Sequence, residues 1–114
     1  MILCIDDEPN GLMIRKIVLQ SQGYEVLTAL SGPEGLELFA ANPIEVVVLD
    51  YAMPGMDGGQ VAAELKRLNP KVKILLLTAY VDLPEEALRW VDKRCVKGMS
   101  PAALLADLKQ LLSS

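Results

Sequence analysis

Hydrophobic positions along the chain switch repeatedly between two periods. Met1-Ile2-Leu3-Cys4-Ile5 is a short apolar run bounded by polar residues, which predicts a strand. Acidic residues follow, then Pro9 near a helix start, where its missing N–H costs nothing. Ile14, Ile17 and Val18 form one stripe at helical spacing, and Gly23 stands where a C-terminal cap is expected. Tyr24 to Leu30 is rich in strand formers. Ser31 with Glu34 spells a capping box ahead of a helical face of Leu36, Phe39 and Ala40. Asn42-Pro43 ends that helix. Ile44-Glu45-Val46-Val47-Val48-Leu49 is nearly all apolar, as befits a strand covered on both faces.

A loop with Pro54, Gly55, Gly58 and Gly59 leads into Val61, Leu65 and Leu68 at helical spacing. Lys71 to Leu77 holds a fourth strand with Ile74-Leu75-Leu76-Leu77 at its centre. Asp82, Pro84 and Glu85 predict the start of a fourth helix. Trp90 falls in that helix near Ala87 and Val91 and is expected to pack in the core; an exposed partner anchor is the alternative. Arg94 to Lys97 is a short fifth strand, and Ser100-Pro101 opens a last helix with Leu104, Leu105, Leu108, Leu111 and Leu112 on one stripe. Five strand–helix units predict an α/β fold, a doubly wound parallel sheet with helices on both faces, in a single domain spanning residues 1–114. In such sheets the ligand site lies beyond the carboxyl ends of the strands, at the topological switch point.

Composition narrows the function classes. The chain carries 52% hydrophobic and 23% charged residues, a globular balance. A net charge of −4 argues against a nucleic-acid surface, which needs clustered Lys and Arg. No apolar run approaches the roughly 18 residues of a membrane span. Met1 leads into the first strand without a basic leader, so the expected location is cytoplasmic. There is no His, which removes the commonest general base and metal ligand. Cys4 and Cys95 fall in predicted strands without metal-ligand spacing and read as buried thiols behaving as small apolar residues.

The candidate chemistry sits at strand ends. Asp6, Asp7 and Glu8 follow the first strand, Asp50 ends the third, Thr78 the fourth and Lys97 the fifth. Converging carboxylates repel one another unless a cation sits among them. Mg²⁺ suits that position, because it takes oxygen ligands and one or two carboxylates together with a phosphate. Lys97 would form a charge-assisted bond to Asp50 or to a phosphoryl oxygen, and the Thr78 hydroxyl would donate to another. The set suits phosphoryl transfer to a carboxylate.

These motifs, Ile5-Asp6-Asp7-Glu8, Val47-Val48-Leu49-Asp50-Tyr51-Ala52-Met53-Pro54-Gly55-Met56-Asp57-Gly58, Leu77-Thr78-Ala79 and Val96-Lys97, resemble the receiver domains of two-component response regulators over essentially the whole chain. The resemblance implies a flavodoxin-like strand order of 2-1-3-4-5. It implies that Asp50 accepts the phosphoryl group, that Asp6, Asp7, Asp50 and the backbone carbonyl of Ala52 hold Mg²⁺, that Thr78 tracks the phosphoryl group and that Lys97 binds it. The donor would be a sensor histidine kinase or phosphotransfer protein. The receiver would catalyse only its own phosphorylation and dephosphorylation, and it would signal to a downstream protein or output domain, as a monomer or a phosphorylation-linked dimer. No output domain follows the last helix, so the sequence reads as a stand-alone regulator or a receiver from a longer protein.

Three departures from the family pattern cluster together. Lys97 is followed by Gly98 and not proline; Arg94 occupies the position of a switching aromatic; and Lys97 lies 19 positions after Thr78, about three fewer than usual. The expected switch relies on Thr78 and the loop around Tyr80, without a part for position 94. Three competing readings fit the residues less well. A phosphorylation-independent pseudo-receiver conflicts with the intact Asp50, Thr78 and Lys97. A flavin or nucleotide binder would want a glycine-rich first turn, not Asp6-Asp7-Glu8-Pro9. An aspartate-nucleophile phosphatase would want a second Asp two residues after the first.

Overall fold

The computed structural model describes residues 1–113. Its elements alternate throughout: β1 (Ile2–Ile5), α1 (Pro9–Ser21), β2 (Val26–Ala29), α2 (Gly32–Ala41), β3 (Val46–Asp50), α3 (Gly58–Leu68), β4 (Lys73–Thr78), α4 (Glu85–Leu88), β5 (Lys93–Val96) and α5 (Pro101–Leu112). The strands form one parallel sheet in the order β2-β1-β3-β4-β5, as expected. The chain reverses its direction of travel across the sheet between β1 and β3, and this is the switch point. Pairing puts Ile5 beside Leu49, and Asp50 beside Leu77.

Successive strand residues point to opposite faces, which divides the core in two. Leu3, Ile5, Val47, Leu49, Ile74 and Leu76 pack with Phe39 of α2 and with Val61, Ala62 and Leu65 of α3. Ile2, Cys4, Val46, Val48, Leu75 and Leu77 pack with Leu12 and Leu19 of α1 and with Leu104, Leu108 and Leu111 of α5. Because both faces are covered, β3 is buried along its whole length.

Three local expectations are corrected. The Ile14, Ile17 and Val18 stripe does not face the core. Ile14 and Ile17 are exposed, with Met13 beside them, and the inward row of α1 runs through Leu12 and Leu19. Ser31 caps α2 by accepting the Glu34 N–H, but the Glu34 carboxylate accepts from the N–H of Leu30 and not of Ser31, so the box is not reciprocal. A reciprocal box forms instead at α3, between Asp57 and Gln60. Trp90 lies beyond α4, which is a single turn of four residues, and is 43% exposed rather than packed in the core. It borders a cavity of about 720 Å³ with Arg67, Pro70 and Arg89, near the start of β5.

Both cysteines are buried and unpaired. Burial pushes the thiol of each up to about 12. Cys95 is more than a small apolar residue, since its Sγ donates to Asp107 Oδ2 at 3.0 Å, and that carboxylate raises it further. No helix among the described residues is long and apolar enough to cross a membrane.

Candidate functional site

The polar groups of the site stand just beyond the apolar run of each strand. β1 ends at Ile5, which delivers Asp6 fully buried, with Asp7 exposed beside it. Glu8 takes a different role from its neighbours. It is the N-cap of α1, and its carboxylate accepts the N–H groups of Asn10 and Gly11. Asp50 closes β3 at 2% exposure. Carboxylate oxygens of Asp6, Asp7 and Asp50 lie within 4.8 Å of one another.

The loop after Asp50 is held tightly. The Tyr51 N–H donates to the Leu77 carbonyl, and the Tyr51 carbonyl accepts from both Met53 and Gly58. A Cβ at Gly58 would come within 2.7 Å of the Asp50 carbonyl oxygen, so the start of α3 approaches the end of β3 only because position 58 is glycine. Ala52 lies in this loop, exposed, two residues beyond Asp50.

Lys97 follows β5, and its N–H donates to the Thr78 carbonyl. Its ammonium lies 3.0 Å from Asp50 Oδ1 and 3.4 Å from Asp6 Oδ2. Gly98 next to it has φ +92°, a left-handed conformation that glycine adopts without strain, and the Met99 N–H closes the turn on Val96. The family's proline position is therefore served by a glycine turn. Thr78 ends β4 nearly buried, and its Oγ1 accepts from the Tyr80 N–H at 3.0 Å. With that lone pair engaged, the hydroxyl proton remains available to donate.

The electrostatics divide the two buried carboxylates. Burial opposes ionisation of Asp6, but the Glu8 N–H, the Arg15 guanidinium and Lys97 together outweigh it and hold its pKa below the usual value. Asp50 moves the other way. Burial raises it, with help from Asp6 and Asp7, and the bond from Lys97 compensates only in part. Lys97 is raised: its own burial works against charge, while Asp50 and Asp6 favour it more strongly. Asp50 Oδ2 is buried and has no hydrogen-bond partner among the described residues. A buried carboxylate oxygen left bare beside two further carboxylates is the donor set a hard divalent cation takes, so the residues present fit Mg²⁺.

Arg15 was not legible as part of this site. It projects from the inward row of α1, 14% exposed, and its guanidinium pairs with Asp6 Oδ2. The available signal was its spacing: three residues after buried Leu12 and four before buried Leu19, an arginine occupies a core-facing slot.

Arg94 also departs from expectation. Its guanidinium donates to the carbonyl of Val81, with Tyr80 O at 3.5 Å, so position 94 contacts the loop that follows Thr78. Tyr80 in that loop meets Tyr51 edge to face at 6.4 Å. The missing length between Thr78 and Lys97 coincides with the one-turn α4.

Comparison with known proteins agrees with this fold. The response regulator receiver domain family matches residues 2–108. The chain is 37% identical over 114 residues to the probable transcriptional regulator ycf27 of Cyanophora paradoxa, covering 97% of this chain and 47% of that protein. A CheY-like receiver domain protein from Methanospirillum hungatei superposes with a TM-score of 0.92 at 28% identity, over 98% of this chain and 92% of the other. The response regulator TrrA of Thermotoga maritima, solved with Mg²⁺ and BeF, gives a TM-score of 0.88 at 38% identity, over 96% of each chain. TrrA has also been solved in complex with the histidine kinase ThkA. The chain spans less than half the length of the curated relatives it matches. It belongs to the response regulator receiver domain family of two-component signalling.

Proposed function

We propose that this chain is a phosphorylatable receiver, one unit across residues 1–114, in which Asp50 accepts a phosphoryl group from a phosphohistidine on a sensor kinase or phosphotransfer protein. The observation that carries the reading is the state of Asp50: a buried carboxylate with one oxygen bonded to Lys97 and the other bare. A carboxylate oxygen of Asp50 bonds to phosphorus as the bond from phosphorus to the donor nitrogen breaks, and the electron pair leaves with the imidazole. Lys97 then has a phosphoryl oxygen in place of Asp50 Oδ1 to bind, and Thr78 has a proton to give to another. Asp6, Asp7, Asp50 and the Ala52 carbonyl would hold Mg²⁺, which would neutralise charge on the phosphoryl oxygens.

The exposed apolar patch of Met13, Ile14 and Ile17 on α1 supports a protein donor. The helix begins just beyond Asp6 and Asp7, so a partner seated on it sits next to the site. Phosphorylation acts by stabilising one conformation over another. The groups placed to respond are Thr78, the Tyr80 loop and Arg94, which would report to a downstream protein or output domain. The chain acts on itself and turns over no separate substrate, and this reading sets it in the cytoplasm.

Incubation with Mg²⁺ and acetyl phosphate, read by intact mass, tests this. The expected result is a single phosphate adduct that is lost in Asp50→Ala and matched by saturation with beryllofluoride in the wild type. An adduct that survives Asp50→Ala, or neither adduct nor beryllofluoride binding, defeats the reading.

A further inference from the structure

Both oxygens of Asp6 are already occupied. Oδ1 accepts the Glu8 N–H at 3.0 Å, and Oδ2 carries the Arg15 guanidinium, with Lys97 at 3.4 Å. The other two carboxylates of the cluster differ: Asp7 is exposed, and Asp50 keeps a bare oxygen. The pair between Arg15 and Asp6 is also among the least solvated ion pairs in the molecule, with Asp6 fully buried and Arg15 nearly so. A guanidinium cannot leave such a pair by losing its proton, because its charge is permanent at any accessible pH. It leaves only by moving. It is held by one nitrogen: Nη2 makes the contact, and Nε is buried without a partner among the described residues.

We infer that Arg15 is a resident counter-cation that keeps the acidic cluster folded without metal and competes with the divalent cation for Asp6. The inference rests on the reading of this cluster as the receiver's Mg²⁺ site. To bind Asp6 through Oδ2, a metal must displace the guanidinium. While the guanidinium stays, its fixed charge opposes a second cation on the same buried carboxylate. Two consequences follow together. The metal-free cluster is partly neutralised from within, so three converging carboxylates are tolerated. The metal-loaded cluster forms only at a higher Mg²⁺ concentration than the carboxylates alone would require, so Mg²⁺ supply sets how much of the protein is ready to be phosphorylated. Arg15 is thus a positioning residue: it touches Asp6 and acts on the phosphoacceptor only through it.

Isothermal titration of Mg²⁺ into wild type, Arg15→Met and Arg15→Lys at fixed ionic strength is the test, with folding checked by circular dichroism. Arg15→Met keeps an unbranched apolar stem and removes the guanidinium and its charge, and it is expected to bind Mg²⁺ about tenfold more tightly than wild type. Arg15→Lys keeps the charge and is expected to stay within about threefold of wild type. If Arg15→Met does not fold, Arg15→Gln is read on the same terms. Wild type that binds Mg²⁺ while the neutral variant binds equally or more weakly overturns the inference and leaves the Mg²⁺ site standing. Absence of Mg²⁺ binding in every form overturns the site itself, and the inference with it.

Discussion

The guanidinium of Arg94 donates to the carbonyl of Val81, tying β5 to the loop that carries Tyr80. An arginine therefore stands where a mobile aromatic is usual, and it grips backbone rather than filling a pocket. Removing it should free the loop without touching the chemistry. Arg94→Ala is expected to speed amide exchange about tenfold at Tyr80 to Asp82, while the acetyl phosphate adduct on Asp50 still forms. Unchanged exchange would mean that the contact carries no restraint.

Asp50 is the group whose ionisation works against folding. Its folded pKa is raised above the unfolded value, by burial first and by Asp6 and Asp7 as well. A raised acid adds stability below its unfolded pKa, and that stability is lost as pH rises through the folded pKa. At pH 7 the ionised carboxylate is a net burden, so Asp50→Asn should be more stable than wild type. Relief of like-charge repulsion at this spacing is on the order of 1 kcal/mol. The advantage should shrink as pH falls through the raised pKa of Asp50. Denaturant melts of both proteins at pH 7 and at pH 4 measure it. Asp6 has the opposite sign: its lowered pKa gives stability above its unfolded value that disappears as acid protonates it.

Mg²⁺ should stabilise the fold by mass action. At one hundred times its dissociation constant a ligand of the native state adds about 2.7 kcal/mol. The melting temperature should rise with Mg²⁺, return on chelation, and respond less in Asp7→Asn, which removes the exposed carboxylate of the cluster. An equal rise in that variant would place the metal elsewhere.

The two rows of α1 should separate stability from recognition. Leu19 is fully buried, and Leu19→Ala should cost about 2–5 kcal/mol. Ile14 is 61% exposed, and Ile14→Glu should leave stability within about 0.5 kcal/mol. With a purified histidine kinase that phosphorylates the wild type, Ile14→Glu should slow transfer severalfold, while labelling by acetyl phosphate stays unchanged. Equal loss with both donors would point to damage at the site and not to a lost contact.

Much of this architecture was legible because apolar runs of the right length leave little choice. Val46 to Leu49 had to be a strand covered on both faces, and Asp50, Thr78 and Lys97 had to fall where such strands end. What the pattern could not resolve was which of two helical rows faces inward. On α1 the row through Leu12 and Leu19 and the row through Ile14 and Ile17 both have helical spacing, and the more apolar of the two lies outside. Arg15 stayed hidden for a related reason: an arginine reads as a solvated charge until the fold turns it toward a buried acid. Trp90 was misplaced because α4 stops after one turn, before the chain reaches it. Gly98 and Arg94 were visible as departures, but their contacts depend on distant backbone that local sequence does not encode.

The placement of Trp90 has an optical consequence. It is the protein's sole tryptophan, and it lines a cavity with Ala63, Arg67 and Pro70, along the C-terminal half of α3, whereas the opposite end of that helix, at Gly58, meets Asp50. Metal or beryllofluoride at the acidic cluster is thus not in contact with the indole, so simple quenching by the bound group is not available. Any change in Trp90 emission on adding either one would be a signal carried through the protein, a native reporter of the switch that needs no label.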